Sequence, residues 1–230
     1  MPIQAPIEGP DDHALVVTRM LLSIVPAFGS LANEYLNGIG GPLQRRLLTW
    51  AAEVTAVLND MQRLYSISPE EALENEAFVS FAIQASQVAV KTHQKAKLDA
   101  LRNALLASGA VGAPEEDVMF QFLRYIEELT PSHLLLLRAI KVVDGRETLE
   151  DLYTAVVDLK MDFPNRAFFR SCIEDLASRY LLTLGDAAEL PEFEKGNQSI
   201  IIEQSEPKPL AMTRLGQDFL NFVEDVGASS

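Results

Sequence analysis

The sequence predicts a mainly α-helical protein in two parts: an antiparallel helical domain over residues 13–130 and a smaller α+β domain over 131–226. Three observations carry this expectation. Apolar residues recur at three- and four-residue spacing through most of the first 130 positions. Glycine- and proline-rich breaks, Gly38-Ile-Gly-Gly-Pro42 and Ser108-Gly-Ala-Val-Gly-Ala-Pro114 among them, divide that pattern into helix-sized pieces. After Gly185 the helical pattern stops, and a short β-branched run, Ser199-Ile-Ile-Ile202, stands between turn-forming residues before a closing helix.

Residues 1–12, with three prolines and three acids, read as a mobile leader, and 227–230 as a tail. Asp11 or Asp12 then caps a first helix carrying Leu15, Met20, Leu21, Ile24, Phe28 and Leu31, which Pro26 should kink by removing one backbone donor. The second helix is expected from Pro42 to about Tyr65, with Leu43, Leu47, Trp50, Val54, Val57, Leu58 and Met61 on its buried face. Ser68-Pro-Glu-Glu71 has the composition of a capping box and opens a third helix, read to Thr92, with a continuation to Ser108 left open by the spacing. Glu115, Glu116 and Asp117 start a further helix whose stripe is Val118, Phe122, Tyr125, Ile126 and Leu129. Beyond Thr130-Pro131, helices are expected at 132–143, 147–159 and 164–182.

Composition narrows the functional classes. The 230 residues include 33 acidic and 19 basic side chains, for a net charge of −14. The imbalance holds in both parts: residues 1–130 carry 16 acids and 9 bases, residues 131–230 carry 17 and 10. Polyanions are held by concentrated positive charge, so nucleic-acid binding would need a local basic patch. One cysteine, Cys172, and three scattered histidines, His13, His93 and His133, leave no disulfide framework and no metal-ligand spacing, and no cofactor motif is read. The leader has no basic n-region, so a cytoplasmic location is expected. The apolar stretch Ala14–Ile39 is interrupted by Arg19, Pro26, Asn33 and Glu34, which argues against a membrane span.

Two stretches carry resemblances. In the C-terminal part, Leu210-x-x-Thr213-x-Leu215-Gly216-x-x-Phe219-Leu220 follows a β excursion, and Phe168-Phe169-x-x-x-Ile173-x-x-Leu176-x-x-Arg179-Tyr180-Leu181-Leu182 precedes it. With His133-Leu-Leu-Leu-Leu137 as a first helix, this order over residues 132–226 resembles the winged-helix domains of bacterial regulators, MarR-like proteins among them. The resemblance implies a third helix that enters the DNA major groove and a wing that contacts phosphate or the minor groove. In the N-terminal part, Pro26-Ala-Phe-Gly29 and the paired Arg45-Arg46 resemble uncharacterised bacterial helical proteins, and imply no activity.

The charges qualify what the first resemblance implies. Asn165, Arg166, Phe168 and Arg170 are the partner- or nucleic-acid-binding candidates of the third helix, but Glu174 and Asp175 oppose the arginines. The expected wing, Gly185–Glu206, sets six acids against Lys195 alone and should repel phosphates. A protein partner or a second copy is therefore the favoured ligand, DNA the alternative, and membrane association through the Leu15–Leu36 hairpin the least favoured. Arg45 and Arg46, in a first helical turn, and Lys91, Lys95 and Arg102, on one expected helix face, are candidate anion-binding residues. His133 reads as a capping residue, Cys172 as a core thiol, and Glu70, Glu71, Glu74 and Glu76 as helix-start acids. No nucleophile pattern is present, so the expected function is that of a non-enzymatic interaction or regulatory protein.

Overall fold

The computed structural model describes residues 41–143, 152–154, 156, 163–183 and 210–224. Over these the protein is mainly helical with one small two-stranded antiparallel sheet. The leader, the first helix with its Pro26 kink, the Ser199–Ile202 strand and the whole of the expected wing, Gly185–Glu206, lie outside the described residues.

Contacts divide the chain into two compact units, one running to Glu128 and resuming at Phe222, the other Leu129–Asn221. The first unit is built on α1, Pro42–Tyr65, which starts with proline at a position where the missing backbone donor costs nothing. Leu47, Trp50, Val54, Val57, Leu58 and Met61 form its buried stripe. Ser66, in a left-handed conformation with φ 58°, ends it. The capping box is realised in α2, Pro69–Glu74: Ser68 Oγ accepts the Glu71 backbone N–H at 3.2 Å, and Glu71 Oε2 accepts that of Ser68 at 2.8 Å.

The segment from Ser68 to Ser108 is three helices: the stop expected at Thr92 is realised, the continuation to Ser108 is a separate helix, and a further break falls at Asn75. Helix α2 ends at Asn75, which takes extended backbone angles and turns its Oδ1 to the Phe78 N–H, capping α3, Glu76–Lys91. A second break, Thr92–Gln94, separates α3 from α4, Lys95–Ser108; Thr92 is extended and its Oγ1 accepts the Gln94 N–H at 3.1 Å. Both breaks use a side chain that competes for backbone donors, which spacing of apolar residues does not register. They let α3 and α4 fold back on each other and against α1, with alanines 82, 85, 89, 100 and 104 allowing close approach.

Helix α4 ends at Gly109, where a Cβ would press into the Met61 and Phe78 side chains. The next turn uses Gly112 at φ +84° and delivers α5, Glu116–Glu128. Its buried face is Met119, Phe122, Leu123, Tyr125 and Ile126; the expected Val118 is only half-buried, and Met119 takes the core position. Phe222 completes the core, 5.8 Å from Phe81 and 5.4 Å from Phe122 between ring centroids. Buried polar groups are satisfied: the Trp50 indole donates to Ser86 Oγ at 2.8 Å, which donates to the Ala82 carbonyl, and Asn103 Nδ2 donates to the Val223 carbonyl at 3.1 Å.

In the second unit, α6, Pro131–Val143, buries Leu134, Leu136, Leu137, Ala139 and Ile140. Of the expected 147–159 helix, residues 152–154 and 156 are described, and all four are helical. Helix α7, Arg166–Ser178, is shorter than the expected 164–182 because it closes in a Schellman motif. Tyr180 adopts φ 59°, its N–H bonds the Ala177 carbonyl, and the Leu181 N–H bonds that of Leu176. The released residues form β1, Leu182–Thr183, antiparallel to β2, Ala211–Met212, with Leu182 opposite Met212 and Thr183 opposite Ala211.

Thr213 starts α8, Arg214–Val223, as the sequence indicates: its Oγ1 accepts the Gly216 N–H at 2.9 Å and donates to the Tyr180 carbonyl at 2.6 Å. Gly216 is required here because a Cβ would collide with the Leu181 carbonyl oxygen.

Candidate functional site

Two features gather the residues that sequence reasoning singled out, one in each unit. In the first unit a cavity of about 460 Å³ opens between the first turns of α1, the end of α3 and the start of α4. Four of the five anion-binding candidates line it: Arg45, Arg46, Lys95 and Arg102. Trp50, Leu98, Ala89 and Pro42 supply apolar wall, and His93, Glu53 and Asp99 further polar groups.

The break at Thr92–Gln94 makes this arrangement and corrects the expectation that Lys91, Lys95 and Arg102 share one helix face. Lys91 belongs to α3 and pairs with Glu127 of α5 at 3.0 Å, while Lys95 and Arg102 belong to α4. Lys97 does not line the cavity: its ammonium donates to the Glu127 carbonyl at 2.7 Å, and burial pulls its pKa below the usual lysine value against the pull of the Glu127 carboxylate.

The four lining cations are not equivalent. Lys95 is held by Asp99 at 2.8 Å, and Arg102 by Glu53 at 3.3 Å and Asp60 at 2.6 Å. Arg46 reaches only the Val90 carbonyl, through a long 3.5 Å contact at the C-terminal end of α3. Arg45 is exposed and has no partner among the described residues.

The second feature is the outer face of α7. Asn165 is the cap of that helix, its Oδ1 accepting the Phe168 N–H at 2.8 Å, so it is committed to the backbone. Arg166 lies 4.9 Å from the centre of the Tyr153 ring, a cation–π contact. Phe168 is half-buried beside Phe163, with ring centroids 6.3 Å apart. Arg170 forms an i, i+4 pair with Glu174 at 2.9 Å. The residue that sequence reasoning missed is Tyr180, the most exposed large hydrophobic among the described residues of this unit, 69% open to solvent. Its signal was available only as an aromatic at the end of a helix, because left-handed backbone is not encoded by residue type when the residue is tyrosine.

His133 is buried and bridges two elements: Nδ1 accepts the Thr130 N–H at 3.1 Å and lies 2.7 Å from Thr130 Oγ1, and Nε2 sits 3.3 Å from Asp175 Oδ2. Because Nδ1 accepts, the ring proton belongs on Nε2, facing the carboxylate. This is the reciprocal bond of a capping box with histidine in place of glutamate, and it occupies the nitrogen that a base would use. Asp175 also pairs with Arg179 at 3.2 Å. Cys172 is buried in the core, where desolvation, followed by the Asp175 charge, pushes its thiol pKa up.

Among the described residues, no group of three or more His, Cys, Asp and Glu side chains could hold a metal ion, and no helix is long and apolar enough to cross a membrane. What the chain does has to be read from these two surfaces, since no protein-family model matches it and neither a curated protein nor a solved structure matches it significantly.

Proposed function

We propose that the protein is a non-enzymatic interaction or regulatory protein of the cytoplasm whose second unit is a winged-helix-like module presenting α7 and Tyr180 to a second copy of the chain or to another protein. The observation that carries this reading is Tyr180. It is a bulky residue held at φ 59°, 69% exposed, at the junction of α7 with the sheet. A left-handed non-glycine residue costs about 1–2 kcal/mol, and glycine would remove that cost. An aromatic kept there at the expense of stability, and open to solvent, is the kind of anchor that dominates protein interfaces.

The order α6, α7, β1, β2, α8, with β1 and β2 antiparallel and Thr213 capping the closing helix, is compatible with the resemblance. The DNA-reading alternative is weakened by the same side chains that would serve it. Arg170 is neutralised by Glu174, and Arg166 is drawn onto Tyr153. Neither is presented as a free cation to phosphate.

The test is the mass of the full chain in solution as its concentration rises, with Tyr180→Gly and Arg170→Glu beside the parent. Self-association is expected in the parent and weaker in both variants, while Tyr180→Gly unfolds at higher denaturant by about 1 kcal/mol. A stabilised Tyr180→Gly variant that associates as the parent does would remove Tyr180 from the interface. A parent that stays monomeric throughout would remove self-association. Salt-sensitive duplex binding lost in Arg166→Ala would replace the reading with DNA recognition.

A further inference from the structure

The cavity of the first unit is independent of that reading and points to a ligand of its own. Its two guanidiniums without a carboxylate partner among the described residues, Arg45 and the Val90-bonded Arg46, lie in the first turns of a 24-residue helix that has no acidic residue there and no side-chain cap from Gly41. The helix macrodipole places partial positive charge at the same end, so Arg45 and Arg46 sit where cations are disfavoured. Lys95 and Arg102 close the other side already matched by Asp99, Glu53 and Asp60. The unmatched charge of the cavity is thus concentrated at one end, in a chain whose net charge is −14.

Behind that end the wall changes character. The almost wholly buried Trp50 and the half-buried Leu98 contribute apolar wall to a cavity of about 460 Å³. Small-molecule sites typically run to about 300–1,000 Å³, mostly apolar with a few polar groups that fix orientation. Solvated surface arginines need neither the concavity nor the aromatic wall.

We propose that this cavity binds a small organic anion, with a carboxylate, sulfonate or phosphate head on Arg45 and Arg46 and a compact apolar body over Trp50 and Leu98. The paired Lys95 and Arg102 shape the site, and the α1 arginines select the charge. Two guanidiniums offer up to five donors each in a planar fork, which suits an oxyanion better than an ammonium would.

The chain contains one tryptophan, so occupancy can be read at the site itself. Anilinonaphthalene sulfonate, an aromatic body with a sulfonate head, is titrated into the folded full chain and energy transfer from Trp50 is recorded. The uncharged N-phenylnaphthylamine serves as the second probe. Saturable transfer at one site is expected for the sulfonate. Its dissociation constant should rise about tenfold in Arg45→Gln and further in Arg45→Gln with Arg46→Gln, the scale of a charge-assisted hydrogen bond.

The uncharged probe should bind weakly and respond to neither change. Arg45 is exposed, so its variant should melt as the parent does, and Arg170→Gln in the other unit should leave the titration unaltered. Absence of saturable transfer would overturn the proposal. So would sulfonate binding indifferent to both arginine variants, equal affinity for the uncharged probe, or an equal loss in Arg170→Gln.

Discussion

At Cys172 the sequence and the structure agree on a thiol buried in the core. The side chain is buried on α7, and burial first and the Asp175 carboxylate second raise its pKa. A raised thiol pKa in the folded state means that the unfolded chain ionises first as pH increases. Stability contributed by the neutral thiol is therefore intact below the ordinary thiol range and declines above it. Native protein at neutral pH should leave Ellman's reagent unreacted until urea unfolds the second unit. In Cys172→Ala the loss of stability above the ordinary thiol range should be shallower than in the parent. Rapid native labelling would show instead that the α7 core opens readily. Glu71 is the opposite case: its pKa is lowered by the bonds from Ser68, so what it contributes is present above the ordinary carboxylate range and fades in acid.

At the scale of the element, two short breaks decide the architecture of the first unit. Apolar spacing from Leu73 to Leu105 is compatible with one continuous helix, but Asn75 and Thr92 redirect the chain. Asn75 ends α2 and caps α3 with a 3.2 Å bond to Phe78 N–H. Asn75→Ala removes that acceptor and should lower stability by about 1 kcal/mol, measured as a shift of the urea midpoint with unchanged slope. Ser68→Ala is the matching case at the start of α2, where both bonds of the capping box are present. An Asn75→Ala variant of unchanged or higher stability would mean that α2 and α3 gain more by fusing than the cap contributes. The break at Thr92–Gln94 places Lys95 and Arg102 across a cavity from Arg45 and Arg46, which no continuous helix would do.

Across the whole molecule, the closing residues of the described chain belong to the core of its beginning. Phe222 stands against Phe81 and Phe122, and the Val223 carbonyl satisfies the buried Asn103 amide 120 positions earlier. Phe222→Ala should therefore cost about 3–5 kcal/mol and move the unfolding transition reported by Trp50 fluorescence, although the two residues are far apart in sequence. A Trp50 transition within a few tenths of a kcal/mol of the parent would show that the core closes without this ring. The net charge of −14 is likewise a property of the whole and says nothing of where cations gather.

The amino-acid sequence alone determined the helical class, the bounds of α1, the capping box at Ser68, the break after Ser108 and the Thr213 start of α8. Each is set by local chemistry: proline's missing donor, glycine's freedom, hydroxyls and carboxylates bonding to nearby backbone, and apolar residues at helical spacing. It also singled out Arg45, Arg46, Lys91, Lys95 and Arg102 as candidate anion-binding residues, without showing that four of them face one space. The tertiary structure decided the rest: that Lys91 turns to Glu127 and away from the cluster, that Arg166 and Arg170 are locally engaged, that Tyr180 is left-handed and open to solvent, and that Phe222 fills the first core. These depend on which side chains meet across long separations in the chain, and helical periodicity specifies a buried face without specifying what it is buried against.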